Sequence, residues 1–324
     1  MNVDRLLASD CAEPFPVYPD LVERLLAPAD GTDGDSTIAH VMATIAGYAY
    51  SDSATVATIA ARLGLARAAC VRVEQFVDAM YICSTAYLIQ SRCGRVAIIA
   101  YRGTEPTNIT SWLGDADVTP AAMVLEGHDA RPTVHGGFYR NFRVTRWQVM
   151  RELVRAQEGR SLVDPDERRE HPLEALYVTG HSLGGAMAVL FALATRAPEL
   201  RAVYTFAQPM TICAPTPPGA EDVGRRIFRY VLEGDLVPAM PPVGWGEFIH
   251  LGREYRHADG GWHAADEPTA QLTSLRNVPR TLLGLLTSST RRASIMNALD
   301  LHGPHRYIDA LRPVDRVTEF GDRV

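Results

Sequence analysis

The chain has 324 residues, 47% of them hydrophobic, so it can fill a sizeable core as one large domain or two smaller ones. Its net charge of −6 and pI near 5.9, with arginines spread along the chain, exclude the basic face that nucleic-acid binding requires. No apolar run approaches the roughly 18 residues that span a bilayer, since the longest covers only Ala186–Ala194.

The N-terminal residues Met1–Cys11 lack the basic segment and long apolar core of a secretory signal. We therefore expect a cytoplasmic protein, with export by a signal-independent route left open.

The five cysteines form no C-x-x-C pair and no metal spacing with histidine, so we expect them to be mostly reduced and buried. Cys83 and Cys93 flank a predicted hairpin and could come close.

The first 80 residues carry two apolar patterns of helical spacing. Asp35 or Ser36 can cap the first helix. Its apolar side chains recur at helical spacing: Ile38, Val41, Met42 and Ile45. A second set has similar spacing: Val73, Phe76, Val77 and Met80. We predict that residues 1–80 form a helical layer against a sheet.

Strand-like runs follow. Ala86–Gln90 and Val96–Tyr101, joined by a short loop containing Gly94, predict a hairpin whose second, wholly apolar strand is central. The later runs Ala202–Ala207 and Ile227–Val231 also resemble strands, and helix-like segments lie between the runs. Alternation of this kind predicts an α/β fold with a largely parallel sheet and helices on both faces.

The stretch Tyr177–Ala186 indicates a buried strand, a tight turn and a helix, and its centre is Gly180-x-Ser182-x-Gly184. This pattern is typical of a nucleophile elbow, in which small residues let the backbone bend sharply and expose the serine hydroxyl. The amide of Leu183 would then lie at the helix N-terminus, where it can stabilise an oxyanion. The alternative is an ordinary glycine-rich turn whose serine only caps the helix.

A serine nucleophile needs a histidine base and a carboxylate that orients it, and in this architecture they follow as acid, then histidine. Asp235 comes soon after the predicted strand Ile227–Val231, where reactive loops gather. Glu233 competes with it, and Asp235 could instead serve only a turn. Five histidines follow Asp235, and their order alone does not select one: His250, His257, His263, His302 and His305.

Four motifs, in this order, resemble the class 3 (fungal-type) lipase family of α/β-hydrolases. They are the strand and oxyanion loop Val96–Thr104, His135–Phe138, the elbow Gly180–Gly185, and the acid loop Gly234–Pro238. Together they cover about residues 85–242, with a looser match near 302–310. The loop Gln208–Ile212 departs from the family pattern. The resemblance implies an α/β-hydrolase fold.

The resemblance also implies roles for individual residues. Ser182 would be the nucleophile and Asp235 the acid, while Thr104 and Leu183 would supply the oxyanion hole through their backbone amides. Many members carry the final histidine five residues before a tyrosine on a closing helix. His302 and Tyr307 have that spacing, so we choose His302 over His305 as the base. For His135, beside the nucleophile in the family, we expect a supporting or packing role.

The implied activity is hydrolysis of carboxylic esters of lipids through an acyl-enzyme, a reaction that requires no cofactor and no metal. The expected partner is a lipid or other acyl ester, with possible peripheral contact with a lipid interface and no transmembrane segment. A phospholipase A1-type enzyme and an antibacterial lipase effector are alternatives. A non-catalytic lipid-binding or scaffold protein is a third.

We predict a single domain over residues 1–324. Within it, residues 85–242 form the catalytic core, 243–300 a cap or insert, and 301–324 the closing histidine segment. Pro106–Leu113 is a candidate lid or an ordinary loop with a buried tryptophan. Leu282–Leu286 is a candidate cap over the acyl pocket, a membrane-touching edge or a core helix.

Overall fold

The structure is a computed structural model, and it describes residues 1–27, 35–77, 82–104, 119–124, 131–164, 166–273 and 300–322. Over these ranges, none of the helices combines the length and the apolar character needed to cross a bilayer. The predicted lid Pro106–Leu113 and the apolar run Leu282–Leu286 lie outside the described residues, so both remain predictions.

The helices of the described residues are α1 (Leu21–Leu26), α2 (Ser36–Tyr48), α3 (Ser53–Leu63), α4 (Gly136–Gln157), α5 (Leu183–Ala194), α6 (Ala220–Gly224) and α7 (Pro304–Leu311). The strands are β1 (Asn2–Leu7), β2 (Ala69–Val77), β3 (Ile82–Gln90), β4 (Val96–Tyr101), β5 (Pro120–Ala122), β6 (Thr133–His135), β7 (Ala175–His181), β8 (Leu200–Phe206), β9 (Ile212–Cys213), β10 (Ile227–Leu232), β11 (Phe248–Ile249), β12 (Arg253–Ala258) and β13 (Gly261–Ala264).

The main sheet has the strand order β1-β2-β3-β4-β7-β8-β10-β12-β13. Its central strands β4, β7, β8, β10 and β12 pair in parallel, whereas the strands outside them pair antiparallel. The predicted hairpin is confirmed as β3 and β4, with Ala86 opposite Tyr101. A smaller sheet has the order β11-β9-β6-β5. The predicted α/β architecture with a largely parallel centre is therefore confirmed.

Each face of the main sheet carries its own apolar core, and helices cover both. One core combines apolar residues of α1, α2, α3 and α7 with side chains such as Ile98 and Tyr230 of the sheet. The other combines α4 and α5 with residues such as Ile99 and Val178. Ile98 and Ile99 are neighbours in β4 and face opposite cores because strand side chains alternate. Burial on both faces explains why the central strands are continuous apolar runs.

Helix α2 begins as predicted. The Asp35 side chain accepts a hydrogen bond from the backbone N–H of Ile38 at 2.9 Å, which satisfies one of the free donors of the first turn. The helix then packs against β7, β8 and α7. This position brings the segment after α2 to the same end of the sheet as the predicted elbow.

The second predicted helix of the N-terminal layer is wrong. Val73, Phe76 and Val77 lie in β2, which pairs with β1 and β3, and Met80 lies outside the described residues. Phe76 is 55% exposed, so the apparent helical stripe is not a buried face. Sheet pairing across residues distant in sequence overrides a short pattern of spacing. The first 80 residues therefore contribute two strands as well as helices.

The interpretation of residues 243–300 as a cap or insert is also incomplete. Strand β12 pairs in parallel with β10, with Tyr255 opposite Tyr230, and β13 folds back onto β12. The described beginning of this segment thus extends the main sheet.

All five cysteines lie in the described ranges and all are free, so Cys83 and Cys93 form no disulfide.

Candidate active site

Three loops bring the predicted serine, acid and base together. Ser182 lies between β7 and α5, Asp235 follows β10, and His302 lies two residues before α7. Strands β7 and β10 run parallel, with β8 between them, so their carboxyl ends share one edge of the sheet. The three residues are buried, at 2%, 7% and 2% exposure.

The backbone at Ser182 has the strained geometry of a nucleophile elbow. Its φ of 56° and ψ of −127° lie outside the regions that residues with a Cβ ordinarily adopt. A Cβ at Gly180 would overlap the backbone of Gly184, and a Cβ at Gly184 would overlap the carbonyl oxygen of Tyr101. The two glycines are therefore required by close backbone approach, as the motif predicts.

A continuous hydrogen-bond chain joins the three side chains. His302 Nε2 lies 2.9 Å from Ser182 Oγ, and His302 Nδ1 lies 3.0 Å and 3.1 Å from the two Asp235 oxygens. Because a carboxylate only accepts, Nδ1 carries a proton, and in the neutral imidazole this tautomer leaves Nε2 free to accept from the serine hydroxyl. In this tautomer the imidazole can accept the serine proton.

The competitors of these residues lie elsewhere. The His305 side chain is 60% exposed and lies 3.8 Å from Asp300, while Glu233 is exposed at the surface. His257 and His263 lie on β12 and β13. His250 donates through Nε2 to the backbone oxygen of Pro238 at 2.8 Å, so it braces the loop that follows Asp235.

Two further donors hold the Asp235 carboxylate. The Tyr307 hydroxyl donates to Oδ2 at 2.7 Å, and the backbone N–H of Val237 donates to Oδ1 at 3.0 Å. Burial, followed by the nearby Asp235 charge, raises the pKa of Tyr307 well above its usual value, so the hydroxyl keeps its proton. The same hydroxyl accepts from the backbone N–H of Leu232 at 3.2 Å, which ties α7 to the end of β10.

The two predicted oxyanion residues lie on adjoining segments. Leu183 is the first residue of α5, so its N–H has no acceptor within the helix. Thr104 follows the segment Tyr101–Gly103, against which the elbow packs so closely that Gly184 admits no side chain. His135 caps α4 by accepting from the N–H of Phe138 at 3.4 Å and stacks on the Phe138 ring, which is a packing role.

Sequence reasoning missed two side chains of this site. His181 is buried beside His302, with the ring centroids 4.7 Å apart, and Tyr50 contacts it from the segment after α2. The elbow motif contains His181, but a motif does not indicate where that side chain points. Tyr50 is 131 residues away in sequence, so no local pattern connects the two.

The chain matches a known family over part of its length. The lipase (class 3) family matches residues 98–245, which include the elbow and the loop that carries Asp235. The match to this family model covers a little under half of the chain. The resemblance stated from the motifs is thereby confirmed.

Curated relatives carry lipase names. The chain is 30% identical over 181 residues to "Lipase" of Rhizomucor miehei, covering 54% of this chain and 45% of that protein. It is 24% identical over 222 residues to "Secreted mono- and diacylglycerol lipase A" of Penicillium cyclopium, covering 65% and 66%. It is 30% identical over 110 residues to "Phospholipase A1-II 1" of Oryza sativa subsp. indica, covering 30% and 25%. The chain thus spans less than half of the first and third of these relatives.

Solved structures share the fold. Lipase II from Rhizopus niveus aligns with a TM-score of 0.51 at 20% identity, covering 75% of this chain and 89% of that one. A variant of MDLA from Penicillium cyclopium aligns with a TM-score of 0.50 at 19% identity, covering 83% and 95%. These lipases and the present chain have the α/β-hydrolase fold in common.

Proposed function

We propose that the protein is a serine hydrolase that cleaves carboxylic esters of lipids, with Ser182 as nucleophile, His302 as base and Asp235 as the orienting acid. The observation that carries the proposal is the hydrogen-bond chain from Ser182 Oγ through the His302 ring to Asp235, with distances of 2.9 Å and 3.0 Å. A serine, a histidine and a buried carboxylate in this order are the parts that acyl transfer requires.

Acylation begins when Ser182 Oγ attacks the ester carbonyl carbon and its proton passes to His302 Nε2. The carbonyl π electrons move to oxygen, and the resulting oxyanion accepts hydrogen bonds from the amides of Leu183 and Thr104. Asp235 stabilises the imidazolium through Nδ1–H. When the tetrahedral intermediate collapses, the C–O bond to the alcohol breaks and the proton on Nε2 passes to the departing oxygen.

Deacylation repeats these steps with water. His302 Nε2 takes a proton from water as its oxygen attacks the acyl carbon, and the same two amides hold the second oxyanion. The bond to Ser182 Oγ then breaks, the serine regains its proton from Nε2, and the carboxylic acid leaves. The balanced reaction is an ester and water giving an acid and an alcohol.

Hydrolysis of p-nitrophenyl acyl esters tests the proposal. Ser182→Ala should lower turnover by several orders of magnitude, because no other group then forms the acyl-enzyme. Ser84→Ala is a matched control, since Ser84 is also a buried serine but lies on β3 and contacts Met187. Equal turnover in Ser182→Ala and wild type would reject the mechanism. A folded wild type that binds lipid without turnover would favour a non-catalytic protein.

A second candidate is a phospholipase A1-type reaction by the same residues. It is favoured by the 30% identity over 110 residues to a relative named phospholipase A1-II 1. Phosphatidylcholine carrying different acyl chains at its two positions, compared with triacylglycerol, separates the candidates. Release of only the sn-1 acid, with little triacylglycerol hydrolysis, would identify the phospholipase activity.

A further inference from the structure

One side chain links the elbow directly to the backbone of the base. His181 precedes the nucleophile, and its Nε2 lies 2.7 Å from the backbone carbonyl oxygen of His302. Its other ring nitrogen, Nδ1, lies 2.9 Å from the Tyr50 hydroxyl oxygen. The His181 ring is 2% exposed, so both contacts are made away from solvent.

The groups at the two ends of this hydrogen-bond network determine which ring nitrogen of His181 carries a proton. A backbone carbonyl oxygen only accepts, so His181 Nε2 must carry a proton and donate to His302. Burial, and then the nearby His302 ring, lowers the pKa of His181 well below its usual value, so the ring stays neutral. Nδ1 is therefore bare, and the Tyr50 hydroxyl donates to it. The direction of both hydrogen bonds is thus determined.

The Tyr50 hydroxyl also lies against the predicted oxyanion loop. Gly103 lies so close that an added Cβ would overlap the Tyr50 hydroxyl and the carbonyl oxygen of His181. Thr104 is the next residue in the chain. The Tyr50 and His181 pair therefore contacts both the segment that leads to Thr104 and the segment that carries His302.

The backbone of His302 is held by several contacts, and the hydrogen bond from His181 is one of them. His302 stands in a turn closed by the hydrogen bond from Gly303 N to Asp300 O, two residues before the short helix α7. Its side chain must reach Ser182 and Asp235 at the same time. His181, the residue next to the nucleophile, donates a hydrogen bond to the His302 carbonyl oxygen. This bond links the backbone of the base to the backbone beside the nucleophile.

We propose that Tyr50 and His181 are positioning residues that hold His302 in register with Ser182, through the hydrogen bond from His181 to the His302 carbonyl oxygen. The inference rests on the proposed serine hydrolase function and extends it to two residues outside the triad. Neither residue transfers a proton to the substrate, and their effect is on the alignment of the base. Misalignment of this kind lowers kcat and leaves KM nearly unchanged, since the substrate-binding contacts persist.

Three variants separate the two hydrogen bonds. Tyr50→Phe removes the donor to Nδ1. His181→Gln can keep an amide donor near the position of Nε2, and His181→Asn can keep an acceptor near the position of Nδ1. We expect kcat to fall roughly 10-fold in Tyr50→Phe and His181→Gln, and roughly 100-fold in His181→Asn, with KM changed by less than about twofold. The rate of ester hydrolysis is divided by the concentration of active sites, which is measured by titration with a fluorophosphonate. This removes the effect of any misfolded fraction.

Tyr18→Phe is the matched control. The Tyr18 hydroxyl lies 2.8 Å from His40 Nδ1, and the two rings are edge-to-face with centroids 6.0 Å apart. The rings of Tyr50 and His181 have almost the same arrangement, at 5.9 Å. Tyr18→Phe should therefore lose an equivalent tyrosine–histidine hydrogen bond and keep the wild-type kcat.

A spectroscopic measurement tests the same geometry without turnover. In protein labelled with ¹⁵N-histidine, His181 should show a protonated Nε2 and a bare Nδ1 throughout the pH range 5 to 9, and Tyr50→Phe should shift only the Nδ1 signal strongly. A protonated Nδ1 would overturn the inference. An active wild type whose kcat is unchanged in Tyr50→Phe and His181→Asn would overturn it and leave the proposed function standing. A wild type that neither turns over esters nor reacts with the fluorophosphonate would overturn both.

Discussion

Tyr307→Phe should cost much more stability than the loss of an ordinary tyrosine hydroxyl. The Tyr307 hydroxyl is buried, donates to the Asp235 carboxylate at 2.7 Å and accepts from the Leu232 N–H at 3.2 Å. A hydrogen bond to a charged group contributes about 1.5 to 3 kcal/mol, and a buried N–H left unpaired costs about 1 to 3 kcal/mol. We therefore expect the free energy of unfolding to fall by about 2.5 to 6 kcal/mol.

Urea unfolding followed by tryptophan fluorescence measures this change, with an unchanged m value as the sign that the unfolded state is not altered. Tyr177→Phe is the control, because that hydroxyl is also buried but donates to a neutral acceptor, the Leu25 carbonyl oxygen, at 2.9 Å. Its loss should cost about 1 kcal/mol. Equal losses in the two variants would refute the reasoning that the carboxylate makes the Tyr307 contact the stronger one.

Three further predictions concern charged and titrating groups. His302→Asn should abolish ester hydrolysis while His305→Asn leaves kcat within about twofold, and the reverse result would show that the wrong histidine was chosen as base. Glu254→Gln should lower the free energy of unfolding by about 3 kcal/mol in thermal or urea denaturation, because Arg229 is 1% exposed and donates to that carboxylate at 2.8 Å. Burial, and then Arg312, lowers the pKa of His40 from 6.5 to about 4. The unfolded chain therefore binds more protons between those values, and the free energy of unfolding should fall by about 3 kcal/mol from pH 7 to pH 4, a fall that His40→Asn should flatten.

The parts of the site that sequence analysis predicted are local. Ser182 lies in a turn that immediately follows β7, and Asp235 lies three residues after the end of β10. In both cases a strand followed by a turn with a glycine and a polar residue is a pattern that the sequence alone shows. The choice of His302 as base required the resemblance to the family. Order and composition allowed five histidines, and only the spacing to Tyr307, which many family members share, selected His302. The structure brings His302 to both partners and leaves His305 at the surface.

The parts that sequence analysis missed depend on pairing between distant segments. The spacing of Val73 and Phe76 fits a helix, but β2 forms because β1 and β3 lie on either side of it. Strand β12 joins the sheet beside β10 although no motif covers it. Likewise, the contact from Tyr50 to His181 exists only once α2 has packed against β7 and β8. Periodicity reports local preference, whereas these contacts are decided by tertiary packing.

Whether Ser182 is the nucleophile is tested by the site at which a fluorophosphonate binds covalently, mapped by peptide mass spectrometry of the folded protein. We predict one adduct per chain on the peptide that contains Ser182, because among the described residues this hydroxyl lies 2.9 Å from Nε2 of an imidazole that a buried carboxylate orients. An adduct on another residue, or a folded protein that does not react, would contradict it.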